Sequence, residues 1–154
     1  MKRDIRLAAA EDLEAVEATV QDAYAHYVER IGRKPRPMLD DYRALIARKQ
    51  VYVIEARGAI SGLIVLIPQG DAMLLDNVAI APQVQGKGLG RELLAFAERK
   101  AAETGFGHLR LYTNEVMIEN IGLYQRLGYV ETHRAEEGGL RRVYMTKTLD
   151  PRQG

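Results

Sequence analysis

Residues 78–100 read VAIAPQVQGKGLGRELLAFAERK: an aliphatic run, a proline, three alternating glycines and an amphipathic segment. An aliphatic run closed by Pro82 predicts the end of a strand. Leu89, Leu93, Phe96, Ala97 and Ala101 recur at helical steps, with Arg91, Glu92, Glu98 and Arg99 on the other face, which predicts a helix over about residues 88–103. The glycines of QGKGLGR, residues 85–91, therefore fall between a strand end and a helix N-terminus. Such a terminus offers unpaired N–H groups and partial positive charge, and glycines let an anion sit against that backbone. Lys87 and Arg91 add cationic charge. The bland alternative is a flexible turn in which the glycines only supply positive φ angles. Two familiar phosphate motifs fail here: a dinucleotide fingerprint starting at Gly86 needs glycine where Arg91 stands, and a P-loop needs Ser or Thr where Gly88 follows Lys87.

Working outward, VYVIEA (51–56), AISGLIVLI (59–67) and AMLLDNVAI (72–80) are β-branched and aliphatic runs separated by Arg57-Gly58 and PQGD. They predict three successive antiparallel strands. IRLA (5–8) predicts a short strand before them, and Leu13, Val16, Val20, Tyr24, Tyr27 and Ile31 recur at steps of three and four, predicting one amphipathic helix. A second helix is expected from about Asp40 to Lys49, after the prolines of GRKPRPM (32–38). Downstream, HLRLYT (108–113) reads as a strand, MIENIGLYQRL (117–127) as a helix, and YVETHRA with LRRVYMTKTL as a hairpin around EEGG. The order β-α-α-β-β-β-α-β-α-β-β predicts an α+β fold with a mixed, largely antiparallel sheet flanked by helices.

Composition narrows the chemistry. A chain of 154 residues is expected to form a single domain over 1–150 with a short tail at 151–154. Its 22 Lys and Arg against 21 Asp and Glu give no broad electrostatic case for nucleic acid or a membrane surface, so an anion site must be local. Cysteine is absent, which removes disulfides, thiolate ligands and a covalent thiol mechanism. His26, His108 and His133 form no spaced ligand pair, so no metal is expected, and the single serine, Ser61, lacks the Gly-x-Ser-x-Gly setting of a nucleophile. No apolar run approaches the ~18 residues needed to cross a bilayer, and a soluble cytoplasmic protein is expected.

Gln85-x-x-Gly88-x-Gly90 matches the Gln/Arg-x-x-Gly-x-Gly/Ala signature of the GNAT family of N-acetyltransferases. LLDNVAIAPQVQGKGLGRELL (74–94) resembles that family's fourth strand and acetyl-CoA helix, and ENIGLYQRLGY (119–129) resembles its later tyrosine-bearing helix. The element order is similar across nearly the whole chain. The resemblance implies the acyl-CoA N-acyltransferase fold, acetyl-CoA as co-substrate and transfer to a primary amine, expected to belong to a small molecule. With no cysteine and no serine nucleophile, direct attack by the amine in a ternary complex is expected.

Carried over by position, Val78, Ala79 and Ile80 lie beside the pantetheine arm, and Gln85, Gly86, Lys87, Gly88, Leu89 and Gly90, with Arg91 nearby, surround the pyrophosphate. Val78 and Ile80 also fit as ordinary core residues. Tyr124 matches the tyrosine near the coenzyme sulfur and is expected to protonate the departing thiolate. Its helix face, shared with Met117 and Ile121, equally suits core packing. The chain departs from the family at Met117, where an asparagine is common; Asn120 offers a coenzyme hydrogen bond from another turn, or a solvated surface. Asp76 is a candidate base acting through water, or a structural hydrogen-bond acceptor. Tyr24, Tyr27, Arg30 and Met38, with Asn77, are candidates for acceptor binding, although Tyr24 and Tyr27 also follow a buried stripe. The resemblance admits a homodimer. Three other readings stay open: acetylation of a protein amine, a coenzyme A-binding sensor without transfer, and an unrelated anion-binding module.

Overall fold

The computed structural model describes residues 4–149; the tail expected at 151–154 lies outside them. Along the chain run β1 (Asp4–Leu7), α1 (Leu13–Tyr24), α2 (Tyr27–Ile31), α3 (Tyr42–Ala47), β2 (Val51–Ala56), β3 (Ala59–Gln69), β4 (Ala72–Ile80), α4 (Leu89–Glu103), β5 (His108–Asn114), α5 (Ile118–Arg126), β6 (Val130–Glu137) and β7 (Leu140–Thr148). Hydrogen bonding orders the strands β1-β2-β3-β4-β5-β7-β6. β4 and β5 are parallel and joined through α4, whereas β1–β2, β2–β3, β5–β7 and β6–β7 are antiparallel. The sheet is mixed and helix-flanked, as the element order predicts.

Two helices differ from expectation. The apolar stripe over 13–31 is divided, because Val28 N–H donates to Ala25 O, three residues back, at 3.2 Å. That tighter turn ends one helix and starts another, leaving Tyr24 as the last residue of α1 and Tyr27 as the first of α2. α3 is shorter than the expected 40–49. It starts after Asp41, whose carboxylate accepts from Ala44 N–H at 3.1 Å as an N-cap. It ends where Lys49 takes a left-handed φ of 59°.

The described residues form two compact parts. The first comprises the chain up to Leu66 together with Asn77–Phe96. Its core holds Val16, Val20, Val51, Val53, Ile54, Leu63, Ile64, Leu93 and Leu94, all at 1% exposure or less. Burying such side chains contributes roughly 1.5–3 kcal/mol each before entropy is counted. Where β1 leads into α1, Asp12 accepts from Arg6 Nη1 and Nη2 at 2.7 and 3.1 Å and from Ala9 N–H at 2.7 Å. The Arg6 guanidinium holds this carboxyl below the usual carboxylate range.

Gly62 in β3 is set by close approach. A Cβ there would lie 2.8 Å from Ile80 Cδ1, 2.9 Å from Ala79 O and 3.2 Å from Ile54 Cγ2. The Ile80 side chain can rotate, but the Ala79 carbonyl belongs to the β4 backbone and cannot move alone. Gly62→Ala is therefore expected to destabilise the fold by about 1–3 kcal/mol, and equal urea midpoints for variant and parent would contradict this packing.

The second part comprises Ile67–Asp76 and the chain from Ala97 onward. Leu109, Leu111, Val143 and Met145 form its interior at 2% exposure or less. Lys147 on β7 donates to Leu127 O at 2.7 Å and pairs with Glu98 of α4 at 2.7 Å, tying the last strand to both helices of this part. β6, last in the strand order, is mostly exposed and carries Glu131, Arg134, Glu136 and Glu137. Charges on such a strand discourage pairing with another chain's edge.

Candidate active site

The path into the glycine loop begins on β4. Side chains alternate along a strand: Asn77 and Ala79 are buried at 4% and 2% exposure, while Asp76, Val78 and Ile80 are half-buried on the opposite face. The ladder with β5 runs from Ala72↔His108 to Leu75↔Leu111, and β4 itself continues to Ile80.

The loop is held by its own backbone and one side chain. Ala81 N–H donates to Ser61 O at 2.9 Å, Pro82 opens a single 3-10 turn, and Gln85 Nε2 donates to Ile80 O at 3.2 Å. Gln85 thus braces the strand end with its side chain. Gly86 and Gly88 have φ of 83° and 84°, in the left-handed region that excludes most side chains. Gly88 O then accepts from Glu92 N–H at 3.1 Å, the first turn of α4.

Gly90 lies inside that turn, and a Cβ on it would come no nearer than 4.0 Å to Ile80 Cγ1. The protein's own packing therefore does not demand glycine there. Leu89 turns inward at 2% exposure, which leaves only its backbone for a ligand. Lys87 and Arg91 are exposed and have no ion-pair partner among the described residues. The loop presents backbone N–H groups, open space and two uncommitted cations at a helix N-terminus. That combination suits an anion.

The same part holds the candidates for acceptor binding, and it joins two of them to each other. Tyr24 OH lies 2.5 Å from Asn77 Oδ1, to which it donates, and 3.1 Å from Val78 O. Asn77 Nδ2 donates to Tyr42 OH at 3.0 Å, and Tyr42 OH donates to Pro37 O at 2.6 Å. Tyr24, Asn77 and Tyr42 are all buried, at 8%, 4% and 3% exposure, so they form a polar chain linking α1, α3 and the Pro37 segment to β4. Met38 is half-buried, and its carbonyl accepts from Gln21 Nε2 at 3.0 Å. Tyr27 is buried, with the Arg30 guanidinium 5.1 Å above its ring. Tyr42 was not legible as a site residue; its signal, a tyrosine directly after a helix cap, is too common to single it out.

Tyr124 and Asp76 lie in the second part. Tyr124 is buried at 5% exposure and meets the edge of Tyr129 with ring centroids 5.6 Å apart. Burial pushes the Tyr129 hydroxyl well above the usual phenol range, reinforced by Glu98 and by Tyr124. Met117 caps α5, and its sulfur accepts from Thr113 Oγ1 at 3.4 Å and from Asn120 Nδ2 at 3.8 Å. The Asn120 amide is therefore turned toward Met117. Among the described residues no group of three or more His, Asp or Glu is placed to hold a metal ion, and no helix is long and apolar enough to cross a membrane.

The family model described as an acetyltransferase (GNAT) domain matches residues 47–131, more than half of the chain. The chain belongs to the GNAT family. This GNAT chain is 37% identical over 57 residues to streptothricin acetyltransferase of Streptomyces lavendulae, covering 37% of the chain and 30% of that relative. It is 32% identical over 82 residues to the uncharacterised N-acetyltransferase YjgM of Escherichia coli (strain K12), covering 51% and 49%. The chain thus spans half or less of the length of these two relatives. The crystal structure of the PaiA N-acetyltransferase from Thermoplasma acidophilum in complex with coenzyme A superposes with a TM-score of 0.82 at 20% identity, covering 96% of this chain and 99% of that one. The GNAT fold is therefore shared over almost the whole length.

Proposed function

We propose that this GNAT chain transfers the acetyl group of acetyl-CoA directly to the primary amine of a small molecule. The observation that carries the reading is the loop from Gln85 to Arg91. Two left-handed glycines, open space above Gly86 and the uncommitted Lys87 directly precede α4, and the uncommitted Arg91 lies in its first turn. A pyrophosphate fits such a cradle through backbone N–H groups and nearby charge. Val78, Ala79 and Ile80 extend β4 past its ladder with β5, supplying extended backbone beside which a pantetheine arm can bond as a strand does.

Acetyl-CoA, when bound, supplies the thioester carbonyl and the leaving thiolate. The chain's residues supply position and protons. Tyr124 carries a phenolic O–H, which we assign to donate its proton to the departing thiolate. Asp76, half-buried on the Val78 and Ile80 face, is the group we assign to accept the amine proton through water. Arg30, exposed and with its guanidinium over the buried Tyr27 ring, offers a cation to an acceptor that bears a carboxylate. The name of the Streptomyces relative supports a small-molecule acceptor. A sensor without transfer is favoured by one feature, the Asn120 amide turned onto Met117.

Thermal unfolding tests the cofactor assignment first. Acetyl-CoA at about one hundred times its Kd adds ~2.7 kcal/mol, which for a chain of this size raises Tm by roughly 5–10 °C. No shift at saturation would sink both coenzyme readings. A panel of amines assayed for released thiol then separates transferase from sensor, and the cysteine-free chain adds no background.

A further inference from the structure

We propose a second ligand site, for a small carboxylate with an apolar body, in a cavity of about 350 Å³ where β1 enters α1 and α3 ends. The volume falls at the lower end of ligand pockets, ~300–1,000 Å³. Leu7, Leu13 and Ile46 supply the walls, with alanines between them, and Arg43 and Lys49 are the only ionisable residues of the lining. None of these residues belongs to the glycine loop or to the Tyr24–Asn77–Tyr42 chain, so the proposal stands apart from acetyl transfer.

Charge identifies the occupant. Neither Arg43 nor Lys49 has an ion-pair or hydrogen-bond partner for its side chain among the described residues. Several cations elsewhere are engaged, Arg6 with Asp12 and Glu55, Arg36 with Asp40, Arg141 with Glu115, and Lys147 with Glu98, whereas Lys87 and Arg91 of the glycine loop share the uncommitted state of Arg43 and Lys49. Two unpaired cations on the lining of an apolar hollow, with no acid in it, select an anion that also has hydrocarbon to bury. A guanidinium fork matches a carboxylate in plane.

The backbone supplies an independent indication. Only two non-glycine residues among those described have positive φ, Lys49 at 59° and Arg57 at 56°. Arg57 sits with Gly58 in the two-residue turn between β2 and β3, where positive φ is the ordinary requirement. Lys49 follows a helix C-terminus, a position that glycine or asparagine fills with less strain. A strained position occupied by a lysine that lines the cavity points to use of its side chain.

Calorimetry on the full chain with 3-phenylpropanoate, and with 3-phenylpropanamide as its uncharged match, tests the site. The acid is expected to bind at least tenfold more tightly than the amide, and Arg43→Glu with Lys49→Glu to abolish that preference. Lys49→Gly should part stability from binding: relief of strain raises Tm by about 1–4 °C, while the acid binds about three- to tenfold more weakly. Equal binding of acid and amide, binding of neither, or undiminished acid affinity in the charge-reversed pair would overturn the proposal. So would a dimer in light scattering that the charge reversal dissolves, since a second copy would then be the occupant.

Discussion

Tyr124→Phe is expected to lower kcat by about ten- to a thousandfold while acetyl-CoA affinity stays within about twofold. The substitution removes one oxygen and keeps the ring. Tyr124 is buried at 5% exposure against Tyr129, so the phenylalanine retains that edge-to-face contact and the fold should hold. A residue that served only to pack would lose little turnover on this change. A proton donor would lose most of it, because a thiolate without an acid departs poorly. Steady-state rates of thiol release, set beside acetyl-CoA affinity by calorimetry, make the comparison, and wild-type turnover would refute the assignment.

Gly88→Val should weaken acetyl-CoA binding by about thirtyfold or more, the equivalent of losing one or two charge-assisted hydrogen bonds at ~1.5–3 kcal/mol each. Two effects are involved and they separate. Backbone strain at φ 84° costs the free and bound states alike, so it lowers Tm without itself changing affinity. The affinity loss comes from branched carbon standing where an anion must reach the backbone. Gly88→Asn distinguishes them, since asparagine tolerates left-handed φ: its Tm should stay near the parent's while affinity still falls. Unchanged affinity in both variants would mean that the loop is only a turn.

The strand–glycine–helix junction was legible because each part carries its own signal: β-branched residues, then Pro82, then glycines, then a helical stripe. The division of 13–31 into α1 and α2 was not, since Tyr24, Tyr27 and Ile31 continue the apolar period without a proline or glycine between them. Periodicity correctly marked Tyr24 as buried, but said nothing of its hydroxyl. That hydroxyl reaches Asn77 across 53 positions in the sequence, and Asn77 reaches Tyr42 across 35. No local pattern encodes such partners. The placement of β7 between β5 and β6 is likewise a choice among pairings that strand propensity alone leaves open.

The chain of hydroxyls around Asn77 also has a direction. The Pro37 carbonyl can only accept, so Tyr42 must spend its one proton there and must in turn receive one from the Asn77 amide. Asn77 Oδ1 is then left to receive from Tyr24. Donation runs one way, from α1 through β4 to the Pro37 segment, and the amide is its pivot because it alone gives at one atom and takes at the other. An ionised aspartate, nearly identical in outline, would set oxygen against oxygen at Tyr42. Shape alone does not specify residue 77; the sense of its hydrogen bonds does.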